Sequence, residues 1–370
     1  MIDLADHRSH HRVFRVALLP GDGIGPEVVS EGVKILRLAQ EGMSSVRFEL
    51  EELAVGAGEY LRSGDPFPEQ TFQRCLEFDA ILLGAMGLPE VRWPSGVEMT
   101  PQLDLRERLD LYCGLRPVRL YHANDTPLKH YGAGDIDFLI VRESTEGLFS
   151  SRLKRPAMDG PVATDVLQIT RLGAERLFRA AFREATRRKN RLTLVDKANV
   201  LPSMAYFRKI FEQISHEFPQ VKTEQIYVDA LSLYLVQRPH TFDVLVTENM
   251  FGDILSDLAA GLVGGMGMAP SADIGDRFAV FQPAHGSGPD IAGKGTANPI
   301  ATILSVAMML EWLNHPETRS AAHLIRHAVE ETLADPLKRT RDLGGSMSCS
   351  AMGDCIADRL SQLYGRASQL

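Results

Sequence analysis

Apolar residues along this chain fall into short continuous runs separated by longer amphipathic stretches. Residues 14–19 have the pattern of a buried strand. Residues 26–39 repeat their apolar positions at helical spacing, with Pro26 in the first turn. The same reading predicts strands at 48–53, 80–83, 192–195, 225–228, 244–247 and 279–282. It predicts helices at 174–188, 204–218, 299–313, 320–334 and 350–363. Strands alternating with helices imply an α/β architecture with a largely parallel core sheet. No internal repeat or low-complexity linker interrupts the pattern.

One helix stands apart. Thr247-Glu248-Asn249-Met250-Phe251-Gly252-Asp253-Ile254-Leu255-Ser256-Asp257 ends a strand and opens a helix. Asp253 and Asp257 are four residues apart, so both carboxylates project from one face. Like charges so placed repel unless a cation sits between them, and hard oxygen ligands suit Mg²⁺ or Mn²⁺. The helix runs into the apolar, glycine-rich Gly261-Leu262-Val263-Gly264-Gly265-Met266-Gly267. A dry, flexible border of that kind marks a site rather than a solubilising face.

Composition narrows the class. The 370 residues are 44% hydrophobic and 24% charged, enough for a sizeable core. A net charge of −8 argues against a nucleic-acid surface. Cys75, Cys113, Cys349 and Cys355 show no C-x-x-C spacing, which fits reduced thiols and a cytoplasmic setting. His7, His10 and His11 read as a frayed terminus rather than a metal site. No apolar run approaches the ~20 residues that span a bilayer, so no membrane partner is expected.

Six segments in order resemble the isocitrate/isopropylmalate dehydrogenase family over about residues 15–363. They are Gly21-Asp22-Gly23-Ile24-Gly25-Pro26-Glu27; Leu105-Arg106 with Leu115-Arg116-Pro117; Val141-Arg142-Glu143; Val195-Asp196-Lys197-Ala198-Asn199-Val200; the Asp253–Asp257 helix with Ala269-Pro270-Ser271-Ala272; and His285-Gly286-Ser287-Gly288-Pro289-Asp290 through Asn298-Pro299. The resemblance implies a two-domain α/β fold of isopropylmalate dehydrogenase type, with mixed, largely parallel sheets flanked by helices. One domain would combine residues 1–111 and 264–370, on the cofactor side. The other, 112–263, would carry the metal site and the dimer interface. It is not a Rossmann fold: the third glycine of a dinucleotide fingerprint falls at Pro26, which lacks the N–H that meets a pyrophosphate.

The resemblance also implies an NAD-dependent, metal-dependent β-decarboxylating dehydrogenase. Arg106, Arg116 and Arg142 would clamp a dicarboxylate or tricarboxylate through bidentate guanidinium contacts. Asp253, Asp257 and Asp229 would hold Mg²⁺ or Mn²⁺, with K⁺ an accessory candidate. Lys197, assisted by Asp229, would take the hydroxyl proton. Lys197 and Asp229 would come from the partner subunit, making a homodimer with shared sites. His285, Gly286, Ser287, Asp290, Ile291 and Asn298 would bind the dinucleotide. An acidic residue at 290 suits the ribose hydroxyls of NAD and repels a 2′-phosphate.

Two features depart from the family pattern. Phe149 stands where the family has a tyrosine acid, and phenylalanine has no proton to give. Three accounts are open: a water or Ser150 donates the proton, the final protonation is slow or follows release, or the chain is a non-catalytic paralogue. Around the substituent at C3, Gln102 and Leu103 with Met99 form a mixed pocket. It points to a 3-isopropylmalate-like substrate, with D-malate, tartrate, isocitrate and homoisocitrate as alternatives.

Overall fold

A computed structural model describes residues 12–152 and 160–367, so His7, His10 and His11 lie outside the described residues. The strands are β1 (Arg12–Gly21), β2 (Val46–Glu52), β3 (Ala80–Ala85), β4 (Cys113–Arg119), β5 (Asp137–Glu143), β6 (Arg191–Asp196), β7 (Lys222–Tyr227), β8 (Val244–Thr247), β9 (Pro270–Ile274) and β10 (Ala279–Pro283). The helices are α1 (Gly25–Glu41), α2 (Ala57–Ser63), α3 (Glu69–Cys75), α4 (Pro101–Arg108), α5 (Arg171–Thr186), α6 (Pro202–Ser215), α7 (Val228–Gln237), α8 (Asn249–Gly261), α9 (Ile300–Trp312), α10 (Pro316–Leu333) and α11 (Cys349–Ala367).

The strands form a single ten-stranded sheet in the order β2-β1-β3-β10-β9-β4-β5-β8-β6-β7. Pairing is parallel at both ends and antiparallel in the centre, where β10, β9, β4 and β5 are neighbours. The β9–β4 ladder, with Gly114 opposite Asp273 and Leu115 opposite Ala272, joins strands from the chain ends to strands from its middle.

Strand periodicity explains the burial. In β1, Phe14, Val16 and Leu18 enter one apolar cluster, while Ala17 and Leu19 enter another on the opposite face. In β5, Leu139 and Val141 face α5 and α6, while Phe138 and Ile140 face the cluster that includes α7 and α8 residues. Strands covered on both faces read as continuous apolar runs, as β1 and β8 do. Among the described residues no helix is long and apolar enough to cross a membrane.

The Gly21–Gly25 turn has a packing role. Gly21 and Gly23 have φ of +70° and +59°, and a Cβ at either would fall 2.0 Å from the carbonyl oxygen of Ala85 or Ser287. Asp22 accepts backbone N–H bonds from Ala57, Gly58 and Gly87 at 2.7–2.8 Å. The turn binds its own chain, in keeping with a fold that is not a Rossmann fold.

Candidate active site

Three arginines from separate elements converge on one cavity. Arg106 lies on α4, Arg116 on β4 and Arg142 on β5, with exposures of 8%, 6% and 2%. Together with Gln102, Leu103, Asp253 and Asp257 they line a cavity of about 280 Å³. Met86, Phe149, Gln282 and His285 complete the part of the wall that matters here.

The arginines are held differently. Arg142 donates from Nε and Nη2 to Asn249 Oδ1 at 3.1 and 2.7 Å, and its Nη1 meets Asp253. Its guanidinium carbon lies 5.3 Å from the centre of the Phe149 ring. Arg106 donates from Nε to Asp273 Oδ2 at 2.9 Å. Arg116 has Asp273 as an ion partner at 3.9 Å, and its buried Nε has no acceptor among the described residues. Burial, with Arg106 adding repulsion, pushes Arg142 down to about 10 and Arg116 below its ordinary value. Gln102 Oε1 and His285 Nε2 are likewise buried without partners. Buried polar atoms are normally satisfied, so orphans around one cavity point to a polar ligand, and the three arginines give the cavity its preference for an anion.

Asp253 and Asp257 sit on one face of α8, which Glu248 caps by accepting from Phe251 N at 2.6 Å and Met250 N at 3.1 Å. Desolvation and the charge of Asp253 push Asp257 above its ordinary value, against the pull of Arg116 and Arg142. Two carboxylates that disfavour each other's charge suit a divalent ion. Among the described residues no group of three or more Asp, Glu, His or Cys side chains converges.

A second cavity of about 540 Å³ shares His285 and Gly286 with the first. Ile24, Gly264–Gly267, Gly288, Ile291, Thr296, Asn298, Arg341 and Asp342 line the rest. Of the expected dinucleotide residues, His285, Gly286, Ile291 and Asn298 line it and Ser287 and Asp290 do not. Ser287 turns towards the Gly21–Gly25 turn, its carbonyl accepting from Ile24 N at 2.7 Å and its Oγ donating to Gly87 O at 2.5 Å. Asp290 is exposed, and its carbonyl accepts from Lys294 Nζ at 2.6 Å.

Lys197 and Asp229 lie away from both cavities. They pair with each other at 2.6 Å, and the hydrogen bond from Lys197 lowers Asp229 below its ordinary value. The strand expected at 225–228 ends at Tyr227, and Asp229 lies in the first turn of α7. Large apolar side chains are exposed on the same segments: Val200, Leu233 (54%), Val236 and, on α8 beside Asp253, Ile254 (60%).

Sequence reasoning missed Asp273 and Gln282, which back the arginines, and Asn249, which seats Arg142. It also missed Arg341 and Asp342 beside the second cavity. A polar residue inside an otherwise apolar strand, as in Pro270-Ser271-Ala272-Asp273-Ile274, was the available signal.

Known proteins resemble this chain in sequence and in fold. A family model described as isocitrate/isopropylmalate dehydrogenase matches residues 15–356. The 3-isopropylmalate dehydrogenase of Aquifex aeolicus (strain VF5) is 43% identical over 363 residues, covering 95% of this chain and 98% of that one. That of Bacillus subtilis (strain 168) is 43% identical over 347 residues, covering 91% and 93%. Among solved structures, isocitrate dehydrogenase from Methylococcus capsulatus superposes with a TM-score of 0.83 at 35% identity, covering 94% of this chain and 99% of its own. A beta-decarboxylating dehydrogenase from Thermococcus kodakarensis (apo form) gives 0.79 at 37%, covering 95% and 97%. On a match that spans nearly the whole sequence, the chain belongs to the isocitrate/isopropylmalate dehydrogenase family.

Proposed function

We propose that this chain oxidises and decarboxylates a (2R)-2-hydroxy-3-carboxy acid of the 3-isopropylmalate type, using NAD and Mg²⁺ or Mn²⁺. The observation that carries the reading is the convergence of three buried arginines with Asp253 and Asp257 on one cavity that adjoins a larger one. Relatives named 3-isopropylmalate dehydrogenase support the substrate. So do Leu83, Met86, Leu103 and Phe149, which give the first cavity an apolar side for a branched substituent.

Arg106, Arg116 and Arg142 bind the two carboxylates and hold C2 and C3 in register. Asp253 and Asp257 are the ligands this chain offers to the metal. When bound, the metal supplies Lewis-acid polarisation of the C2 oxygen and NAD accepts the hydride. Lys197, with Asp229, takes the hydroxyl proton. Their distance from the cavity and the exposed Val200, Leu233, Val236 and Ile254 support a homodimer in which each chain lends this pair to its partner. His285, Gly286, Ile291 and Asn298 cradle the dinucleotide. NAD is favoured over its phosphorylated form by the carboxylate of Asp290 in the same loop.

The test is NADH absorbance from purified protein with Mn²⁺ and K⁺, run with 3-isopropylmalate, D-malate, tartrate, isocitrate and homoisocitrate, and repeated with NADP. The highest kcat/KM is expected for 3-isopropylmalate with NAD. A clear preference for another acid or for NADP overturns that part of the reading. A second reading, ligand binding without turnover, is favoured by Phe149 alone. It is upheld if substrate raises the melting temperature while the whole panel yields no NADH.

A further inference from the structure

Behind the arginines lies a carboxylate that faces no solvent. Asp273 has 0% exposure, in the centre of the sheet on β9. Its Oδ2 accepts from Arg106 Nε at 2.9 Å and from Gln282 Nε2 at 2.7 Å. Its Oδ1 accepts from Ser144 Oγ at 3.4 Å and lies 3.9 Å from Arg116 Nη2. Gly114 pairs with both Arg142 and Asp273 across the β5–β4–β9 row, and a Cβ there would fall 2.7 Å from Ser144 Oγ and 3.2 Å from Asp273 Oδ1. The absence of that Cβ leaves room for the carboxylate behind the clamp. Burial alone would raise this carboxyl, and Arg106, Arg116 and Arg142 outweigh it and hold it below its ordinary value. The three arginines thus favour its anionic form.

We infer that Asp273 is a positioning residue that holds Arg106 by its Nε edge, turns the two Nη groups to the cavity, and offsets one of the three positive charges of the clamp. The inference rests on the reading of these arginines as the substrate clamp. Arg142 already meets Asp253 at the cavity wall. Without Asp273, Arg106 and Arg116 would face each other with no counter-charge and would take up whatever anion is at hand. Two polar anchors on Asp273, from Gln282 and Ser144, fix the carboxylate itself, so the arrangement is set before any ligand arrives.

The experiment measures sulfate binding by calorimetry at constant ionic strength, on the full-length wild type, Asp273→Asn, Asp273→Ser and Arg116→Met. Asp273→Asn is isosteric and keeps an acceptor for Arg106 Nε, and Asp273→Ser removes the charge with a smaller side chain. Both are expected to bind sulfate at least about threefold more tightly, because the repelling carboxylate is gone. Arg116→Met is expected to lose sulfate binding. With substrate, kcat of the Asp273 variants should fall by roughly ten- to a hundredfold without a rise in KM, the cost of a clamp displaced by a fraction of an ångström. Sulfate affinity unchanged by the Asp273 variants, or binding that survives Arg116→Met, overturns the inference. Failure of both Asp273 variants to fold would place the residue in the fold and also overturn it. The sulfate arm needs no substrate, so a failure of the proposed reaction would appear separately, as silence across the hydroxy-acid panel.

Discussion

Replacing Arg116 with methionine should make the ligand-free protein more stable and the enzyme far worse. Arg116 is 6% exposed, its Nε has no acceptor among the described residues, and its ion partner Asp273 stands at 3.9 Å. Removing one member of a buried ion pair is ordinarily costly because the other is stranded. Here Asp273 keeps Arg106 at 2.9 Å and Gln282 at 2.7 Å, so it is not stranded. Replacing a whole buried ion pair by apolar side chains of similar volume is neutral to stabilising by roughly 1–4 kcal/mol, and with Asp273 still paired about 2 kcal/mol is expected for Arg116→Met. At ~2.1 cal/mol/K per residue, unfolding a chain of 370 residues carries an entropy of ~0.8 kcal/mol/K, so Tm should rise by about 3 °C. In the complex, the lost guanidinium would have made two charge-assisted hydrogen bonds worth about 1.5 kcal/mol each, and kcat/KM should fall roughly 150-fold. Calorimetric melting of the ligand-free protein and steady-state kinetics check the two halves. A Tm lowered by several degrees with kcat/KM within threefold of wild type would show that Arg116 supports the fold and not the ligand.

Phe149→Tyr puts a hydroxyl at the cavity wall beside Arg142, whose positive charge favours release of its proton. A kcat raised about tenfold or more is expected, and a fall in kcat at unchanged KM would refute a role for an acid there. Lys197→Ala and Asp253→Ala chains should each be inactive and regain partial activity when refolded together. No regain would refute sites shared between subunits. Burial would raise the Glu317 carboxyl, and the hydroxyl and amide donors of Ser44 and Ser45 outweigh that and bring it down to about 2. A depressed carboxyl contributes stability above its unfolded value that is lost as pH falls through about 2. Glu317→Gln should therefore cost about 1 kcal/mol at pH 7, after discounting for solvent screening, and clearly less at pH 2. Equal losses at both pH values would refute the assignment.

Elements whose side chains serve the core were legible in the sequence, and elements whose side chains serve the site were not. β8 was bounded at 244–247 as observed, because Val244, Val246 and Leu245 are buried on opposite faces. β4 and β9 were passed over because Arg116, Pro117 and Asp273 interrupt their apolar residues, and β5 was passed over although Phe138-Leu139-Ile140-Val141 is a continuous apolar run. α4 is short and polar, Pro101-Gln102-Leu103-Asp104-Leu105-Arg106-Glu107-Arg108, with little apolar period to detect. The Asp253–Asp257 pair could be seen because helical spacing is a local property. The link from Arg106 to Asp273 could not, since the two are 167 residues apart, on α4 and β9.

The neighbour relation of β3 and β10 also bears on how the chain is made. Ile81 and Leu82 pair with Val280 and Phe281, about 200 residues further on. At ~5–20 residues per second, the ribosome needs roughly 10–40 s to deliver β10 after β3 has emerged. Throughout that interval the apolar run Ala80-Ile81-Leu82-Leu83 presents an unpaired edge. The strands β5, β6, β7 and β8, contiguous in sequence, can close on one another during the same wait. The last third of the chain thus acts as the chaperone of the first, and a nascent chain arrested before residue 279 is the species most exposed to aggregation.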